Sequence, residues 1–106
     1  MEKESYERIA DRSRWYEILQ SASEECAELI QACSKYERAH NIGLPTNTTP
    51  NEAIEMLTEE VAHVLNCCDM IIYKIGLDKQ DIMREQIKGN QKILDRFEKD
   101  YERREY

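Results

Sequence analysis

The sequence predicts an all-α protein, an antiparallel helical bundle that is completed by homo-oligomerisation. Only three Gly and two Pro occur among 106 residues, so few positions interrupt long helices. Apolar residues recur at intervals of three and four over most of the chain, which is the period of a helix face. The length corresponds to one domain, residues 1–106, with a single modest core.

The most clearly marked helix is predicted from Thr49 to Ile75. Thr49 is a good N-cap, Pro50 occupies the first helical position, Glu52 follows three residues after the cap, and Gly76 ends the helix. Its main apolar stripe consists of Leu57, Val61, Val64, Cys68, Ile72 and Ile75. A weaker strip beside it consists of Met56, Cys67 and Met70. Because three or four helices of one chain cannot cover both strips, we expect a homodimer or a dimer of dimers.

Two further helical regions flank this central helix. The first is predicted from about Ser5 to His40, with a break in the capping-box segment 21–24. Its apolar stripe consists of Trp15, Leu19, Ala22, Cys26, Leu29, Ile30 and Cys33. Residues 41–48 are predicted to be a loop. The last helix is capped by Asp78, and its charged tail, residues 98–106, is expected to fray.

Charge and cysteine usage exclude several classes of protein. The formal net charge of −7 argues against nucleic acid or an anionic membrane as the main partner. No apolar run of transmembrane length and no signal-peptide core is present, so we expect a cytoplasmic protein. The four Cys include no C-x-x-C pair, which gives no support to a zinc ribbon or a thioredoxin-like motif. We therefore expect reduced, buried thiols.

Two pairs of polar residues on the two long helices indicate a metal site. Glu25 and Glu28 are three residues apart, as are Glu60 and His63, so each pair projects from one helix face. Both pairs have the same angular offset from their apolar stripe, so helices packed by these stripes would turn both pairs towards one cleft. Three carboxylates would repel one another there without a cation, and oxygen-rich clusters suit Mg²⁺ or Mn²⁺. On spacing alone, Glu25 and Glu28 could equally form a solvated face.

Three segments of the chain resemble the MazG-like, all-α nucleoside triphosphate pyrophosphohydrolases. They are SEECAELIQACSKYERA, EAIEMLTEEVAHVLNCCDMIIYKIGL and MREQIKGNQKILDRF, and the resemblance runs from about residue 19 to residue 97. Members of that family hold Mg²⁺ against the substrate phosphates with an E-E-x-x-E helix and a later E-x-x-D helix. Glu24, Glu25 and Glu28 match the first motif, and Glu60 matches the Glu of the second.

The resemblance implies hydrolysis of a nucleoside triphosphate, NTP or dNTP, between the α- and β-phosphates, and assembly into a homo-oligomer. Glu25 and Glu28 are the candidate catalytic residues, with Glu25 as a possible base for the attacking water. Lys35 lies two turns beyond Glu28 on the same face and could contact a phosphate, although a solvated Lys is the more common case.

A third motif of the family, a helix with Asn and basic residues, resembles Asn90, Lys92 and Arg96. These are candidate substrate-binding residues. Asn90 interrupts the apolar face of the last helix, which consists of Met83, Ile87, Leu94, Phe97 and Tyr101. An Asn in such a face is either a substrate contact or a polar group that fixes the register of packing.

His63 departs from the family pattern, because it stands where the family has Asp. Imidazole removes one negative charge and one oxygen ligand, which weakens a Mg²⁺ site more than a Mn²⁺ site. Residues 60–63 also form the E-x-x-H unit of di-metal carboxylate bundles. Two alternatives to an active pyrophosphohydrolase are therefore a non-catalytic nucleotide- or protein-binding module and a di-iron-type protein.

Overall fold

We describe the protein with a computed structural model, which defines the backbone of residues 2–103 and the side chains of residues 2–100. The helices are α1 (Ser5–Asp11), α2 (Trp15–Ala39), α3 (Pro50–Ile75) and α4 (Lys79–Arg103). No strand occurs in residues 2–103, which confirms the predicted all-α class. The chain up to Gly76 forms one compact unit, and the chain from Leu77 onwards forms a second unit.

Helices α2 and α3 pair as an antiparallel hairpin. On α3, His63 contacts Glu25 of α2, whereas Tyr73, ten residues later, contacts Asp11 of α1. Later positions of α3 therefore contact earlier positions of the preceding chain, which is the pattern of antiparallel packing.

The termini of α3 and α4 confirm the predicted capping residues. The hydroxyl of Thr49 accepts a hydrogen bond from the amide of Glu52 at 3.2 Å. Gly76 ends α3 in the left-handed region, with φ of +81°, where a residue with a Cβ is strained. The carboxylate of Asp78 accepts hydrogen bonds from the amides of Gln80 and Asp81 at the start of α4.

The predicted break at residues 21–24 is wrong, because α2 runs through this segment without interruption. The hydroxyl of Ser23 donates a hydrogen bond to the carbonyl of Leu19, one turn earlier in α2. This is the pattern of a Ser inside a helix and not of one that starts a helix. The break lies instead at residues 12–14. There the backbone amide of Arg14 donates to the carboxylate of Glu17 at 2.8 Å, which satisfies an amide at the start of α2.

A polar cluster fixes α1 against the C-terminal end of α3. The ammonium group of Lys3 lies 2.7 Å from the carboxylate of Asp11, which also accepts a hydrogen bond from the hydroxyl of Tyr73 at 2.7 Å. These two partners lower the pKa of Asp11. The ring of Tyr6 packs edge-to-face on Tyr73. Together these contacts anchor the N-terminal segment.

The core of the described chain is small and contains few large side chains. Its buried apolar residues are Ala10, Ile18, Ala32, Ala53 and Cys67. The prediction that the main stripe of α3 packs on α2 is wrong for Val61, Cys68 and Ile75, which are exposed, whereas Leu57, Val64 and Ile72 of the same stripe are half-buried. Cys67, in the weaker strip, is buried. On α2, Trp15 is 58% exposed.

The predicted burial of the four thiols is likewise wrong for Cys26, Cys33 and Cys68, which are exposed. All four cysteines are free. Both predicted stripes contain exposed apolar side chains, among them Trp15 and Ile30 on α2 and Val61 and Ile75 on α3.

Helix α4, in the second unit, is amphipathic with an exposed apolar face. The exposed side chains of this face include Met83, Ile87, Leu94 and Phe97. Helix α4 continues to Arg103, and residues 104–106 of the tail that is expected to fray lie outside the described part. Within the described residues, no helix is both long enough and apolar enough to cross a membrane.

Candidate metal centre

Two glutamates occupy the middle of the seam between α2 and α3. Glu25 lies seven residues after the buried Ile18 and seven before the buried Ala32. Glu60 has the same spacing between Ala53 and Cys67 on α3. A separation of seven residues is two helical turns and keeps side chains on one face. The geometry therefore differs from the sequence prediction, in which these carboxylates flank the packed stripes.

Glu28 and His63 join these glutamates in one cluster. Each of Glu25, Glu28, Glu60 and His63 offers a ligand atom, and these atoms all lie within 4.8 Å of one another. Nδ1 of His63 is 3.2 Å from Oε2 of Glu25 and 3.7 Å from Oε2 of Glu60. Four side chains from two helices thus converge on one small volume.

Glu60 is the most shielded carboxylate of the cluster. Its side chain is 17% exposed, compared with 28% for Glu25 and 39% for His63. Oε2 of Glu60 is closed off from solvent and has no hydrogen-bond partner among the described residues. A buried carboxylate oxygen without a donor is costly to keep charged.

The pKa of Glu60 is raised above its ordinary value, and the causes lie in the cluster itself. Burial is the largest cause, followed by the charge of Glu28 and a hydrogen bond shared with Glu28, with a smaller contribution from Glu25. His63 acts in the opposite direction. Glu60 thus binds a proton more readily than a solvated Glu, as expected where carboxylates face one another without a cation.

The donor set fits a divalent cation. Three carboxylates and one imidazole offer hard oxygen ligands with one nitrogen, a combination found with Mn²⁺, Fe²⁺ and Zn²⁺ as well as with Mg²⁺-type sites. The orphaned oxygen of Glu60 is the observation that favours a cation most directly, because coordination would supply the partner that the protein does not.

Glu59 is a neighbour of the site that the sequence prediction omitted. Its Oε1 lies 4.0 Å from Nε2 of His63. This distance is too long for a hydrogen bond, so Glu59 adds a nearby negative charge on the outer side of the ring. The signal was present in the sequence, because Glu59 and His63 are four residues apart on one helix.

The remaining candidate residues lie outside this cluster. Glu24, the first residue of the motif matched on α2, is exposed and is not among the four converging side chains. Lys35 is half-buried on α2, seven residues beyond Glu28, which is about 10 Å along the helix axis. Asn90, Lys92 and Arg96 are exposed on α4 in the second unit.

Comparisons of this chain with models of protein families, with proteins of described function and with solved structures found no match.

Proposed function

We propose that the protein is a divalent-metal-dependent nucleoside triphosphate pyrophosphohydrolase of the MazG-like type, which converts an NTP or dNTP to the monophosphate and pyrophosphate. The observation that carries the proposal is the convergence of Glu25, Glu28, Glu60 and His63 within 4.8 Å. It supports the metal-binding role that the sequence resemblance gives to the first three residues.

The electrostatics of the cluster favour this role over a purely structural one. A seam between two helices is normally apolar, yet Glu25 and Glu60 occupy its centre. Replacing such carboxylates with apolar side chains would remove both repulsion and desolvation. Their presence in the seam is readily explained if a cation, together with the phosphates it holds, compensates for their charge.

The residues of the cluster have distinct roles in this proposal. Glu25, Glu28 and Glu60 would hold the metal, and Glu25 would also accept the proton of the attacking water. His63 would contribute a nitrogen ligand through Nδ1, and the carboxylate of Glu59 lies 4.0 Å from its Nε2. When bound, the divalent cation would neutralise the phosphate oxygens and lower the pKa of a coordinated water. Lys35, about 10 Å further along α2 than Glu28, is the proposed side-chain contact for a phosphate.

His63 makes Mn²⁺ the better cation for this site. An imidazole nitrogen suits Mn²⁺ better than Mg²⁺, which prefers oxygen ligands and retains water. Replacing the family Asp with a neutral ring also removes one negative charge from the site. We therefore propose Mn²⁺ as the preferred cofactor and Mg²⁺ as a weaker substitute.

We further propose that the protein is a homo-oligomer. The exposed face of α3 carries apolar residues at coiled-coil spacing, namely Ile54, Val61, Leu65, Cys68 and Ile75. On α2, Trp15, Cys26 and Ile30 are exposed as well. Apolar residues at this spacing are buried when two helical hairpins pack into a four-helix bundle. A second copy of the chain offers the complementary surface.

The proposal is tested by incubating the protein with each NTP and dNTP in Mn²⁺ or Mg²⁺ and separating the products. We expect the monophosphate and pyrophosphate, with higher rates in Mn²⁺. Glu60→Gln should abolish the reaction, and Glu24→Gln, a matched change outside the cluster, should retain it. Release of a diphosphate and orthophosphate would contradict the proposed bond cleavage. Nucleotide binding without any product would instead favour a non-catalytic module.

A second candidate is a di-metal carboxylate protein, which the contact between His63 and Glu25 favours. In such bundles an E-x-x-H unit combines with further glutamates from other helices, and Glu60 and His63 form this unit. One chain supplies a single E-x-x-H, so the site would need a second copy. Iron in the purified protein, with the absorption of an oxo-bridged pair, would support this candidate over the first.

A further inference from the structure

A polar cavity lies at the loop that joins α2 and α3, away from the carboxylate cluster. Its volume is about 210 Å³, and it is lined by Arg38, Ala39, Asn41, Gly43, Leu44, Pro45, Thr46 and Thr48. The lining contains one cationic residue and no carboxylate. This composition is unusual in a chain with 22 acidic and 15 basic residues.

Arg38 is the central residue of this cavity. Its Nε is closed off from solvent and has no hydrogen-bond partner among the described residues. None of the ion pairs between described side chains includes Arg38. Because the guanidinium group remains charged at all ordinary pH values, a shielded donor of this kind is costly unless a ligand accepts its hydrogen bond.

The loop backbone at Gly43 lies beside the stem of Arg38. Gly43 has a φ of +86°, and a Cβ at this position would lie 3.7 Å from Cγ of Arg38, which is ordinary contact. The positive φ favours Gly at this turn. Arg38 and Gly43 both belong to the lining of the cavity.

Two hydroxyl groups in the lining can act as further donors. Oγ1 of Thr46 accepts a hydrogen bond from the amide of Thr48 at 3.2 Å, so its own proton is available to another acceptor. The hydroxyl of Thr48 and the amide group of Asn41 also belong to residues of the lining. One permanent cation with neighbouring donors is the arrangement that recognises a multivalent oxyanion.

We propose that this cavity binds a small tetrahedral oxyanion of the phosphate type, held by the guanidinium group of Arg38 and the hydroxyls of Thr46 and Thr48. The site is distinct from the carboxylate cluster. Glu28, the nearest cluster residue on α2, precedes Arg38 by ten positions, or about 15 Å along the helix axis. Binding here requires no divalent cation and does not rest on the proposed hydrolysis.

The test uses the full chain in EDTA, so that no metal can bring phosphate to the carboxylate cluster. We measure the melting temperature with inorganic phosphate and with chloride at equal ionic strength. At about ten times the dissociation constant, phosphate should raise the melting temperature by roughly 6–11 °C, and chloride should not. Sulfate, which shares the tetrahedral oxygens, should act like phosphate.

The decisive variant is Arg38→Met, which retains an unbranched stem beside Gly43 and removes the charged donors. It should lose the response to phosphate. Arg84→Met makes the same change at an exposed arginine of α4 and should retain the response. A phosphate response that survives in Arg38→Met, or that chloride reproduces in the unaltered protein, would overturn the proposal.

A direct measurement covers the case in which Arg38→Met fails to fold. In the ¹H–¹⁵N spectrum of the unaltered protein, phosphate should shift the Nε–H signal of Arg38 and the amide signals of residues 43–48. Signals that stay in place at saturating phosphate would refute the site. Glu60→Gln should show the same shifts as the unaltered protein, which separates this site from the proposed catalytic centre.

Discussion

If the cluster of Glu25, Glu28, Glu60 and His63 binds Mn²⁺ as proposed, the metal should stabilise the folded protein, which can be measured without any substrate. A ligand that binds only the folded state at 100 times its dissociation constant adds about 2.7 kcal/mol to the free energy of unfolding. For a domain of this size, about 1 kcal/mol changes the melting temperature by roughly 4–8 °C. Saturating Mn²⁺ should therefore raise the melting temperature by about 10–20 °C.

Glu25→Gln removes one charged ligand while preserving an oxygen that can accept the hydrogen bond from His63. If the affinity for Mn²⁺ falls about 100-fold, the same concentration equals the new dissociation constant and adds only about 0.4 kcal/mol. The increase in melting temperature then shrinks to about 2–3 °C. Without metal, the variant should be at least as stable as the unaltered protein, because one repulsive charge has left the seam.

The assay is differential scanning fluorimetry with and without Mn²⁺, supported by calorimetric titration. Glu24→Gln is the control, because Glu24 is the adjacent residue with the same side chain and lies outside the cluster. It should show the full increase. Equal increases in Glu25→Gln and Glu24→Gln would refute the proposed metal centre.

Three further predictions concern Glu60, His63 and the apolar surface. Because the pKa of Glu60 is raised from the ordinary 4.5, its protonated form is favoured in the folded state, so metal-free stability should fall as the pH rises through this raised pKa. In Glu60→Gln, the fall in the free energy of unfolding that Glu60 causes should be absent when stability is measured by urea denaturation at each pH. A pH profile identical to that of the unaltered protein would contradict this explanation. His63→Asp should destabilise the metal-free protein, because a further carboxylate joins the cluster, and Mg²⁺ should restore the lost stability. Pyrophosphate release should rise more in Mg²⁺ than in Mn²⁺. A loss of stability that Mg²⁺ does not restore, together with unchanged hydrolysis, would argue against His63 as a ligand. Leu65→Lys, on the exposed face of α3, should lower the molar mass in sedimentation, whereas a monomeric unaltered protein would exclude the proposed oligomer.

The sequence predicted the helix ends where one or two residues decide the local structure. Thr49 and Asp78 accept hydrogen bonds from amides in the first turn, and Gly76 adopts a positive φ, so these ends follow from chemistry within a few residues. The break at residues 12–14 could not be found this way. Its cap is made by the carboxylate of Glu17 rather than by a Ser hydroxyl.

The choice of packing face depends on tertiary structure and therefore could not be read from periodicity. On α3, Val61, Cys68 and Ile75 of the stripe with larger side chains are exposed, and the seam contains Ala53, Glu60 and Cys67. Small and charged residues give a weak apolar signal, although small side chains allow two helices to approach closely. The four cluster residues were nevertheless identified, because the spacing of three within each pair does not depend on which stripe packs. Glu59 was missed because it precedes Glu60 by one position and belongs to neither pair with a spacing of three.

The placement of Glu25 and Glu60 in the helix seam constrains how this protein can evolve. In an enzyme whose site lies in a surface cleft, catalytic residues can change with little effect on folding. Here the same two positions lie between α2 and α3, so a substitution such as Glu60→Leu should yield a more stable hairpin while removing one of the proposed metal ligands. Under the proposed function, selection for stability and selection for chemistry act in opposite directions on these positions. Gains in stability that preserve the chemistry must come from other positions, such as the exposed stripe of α3.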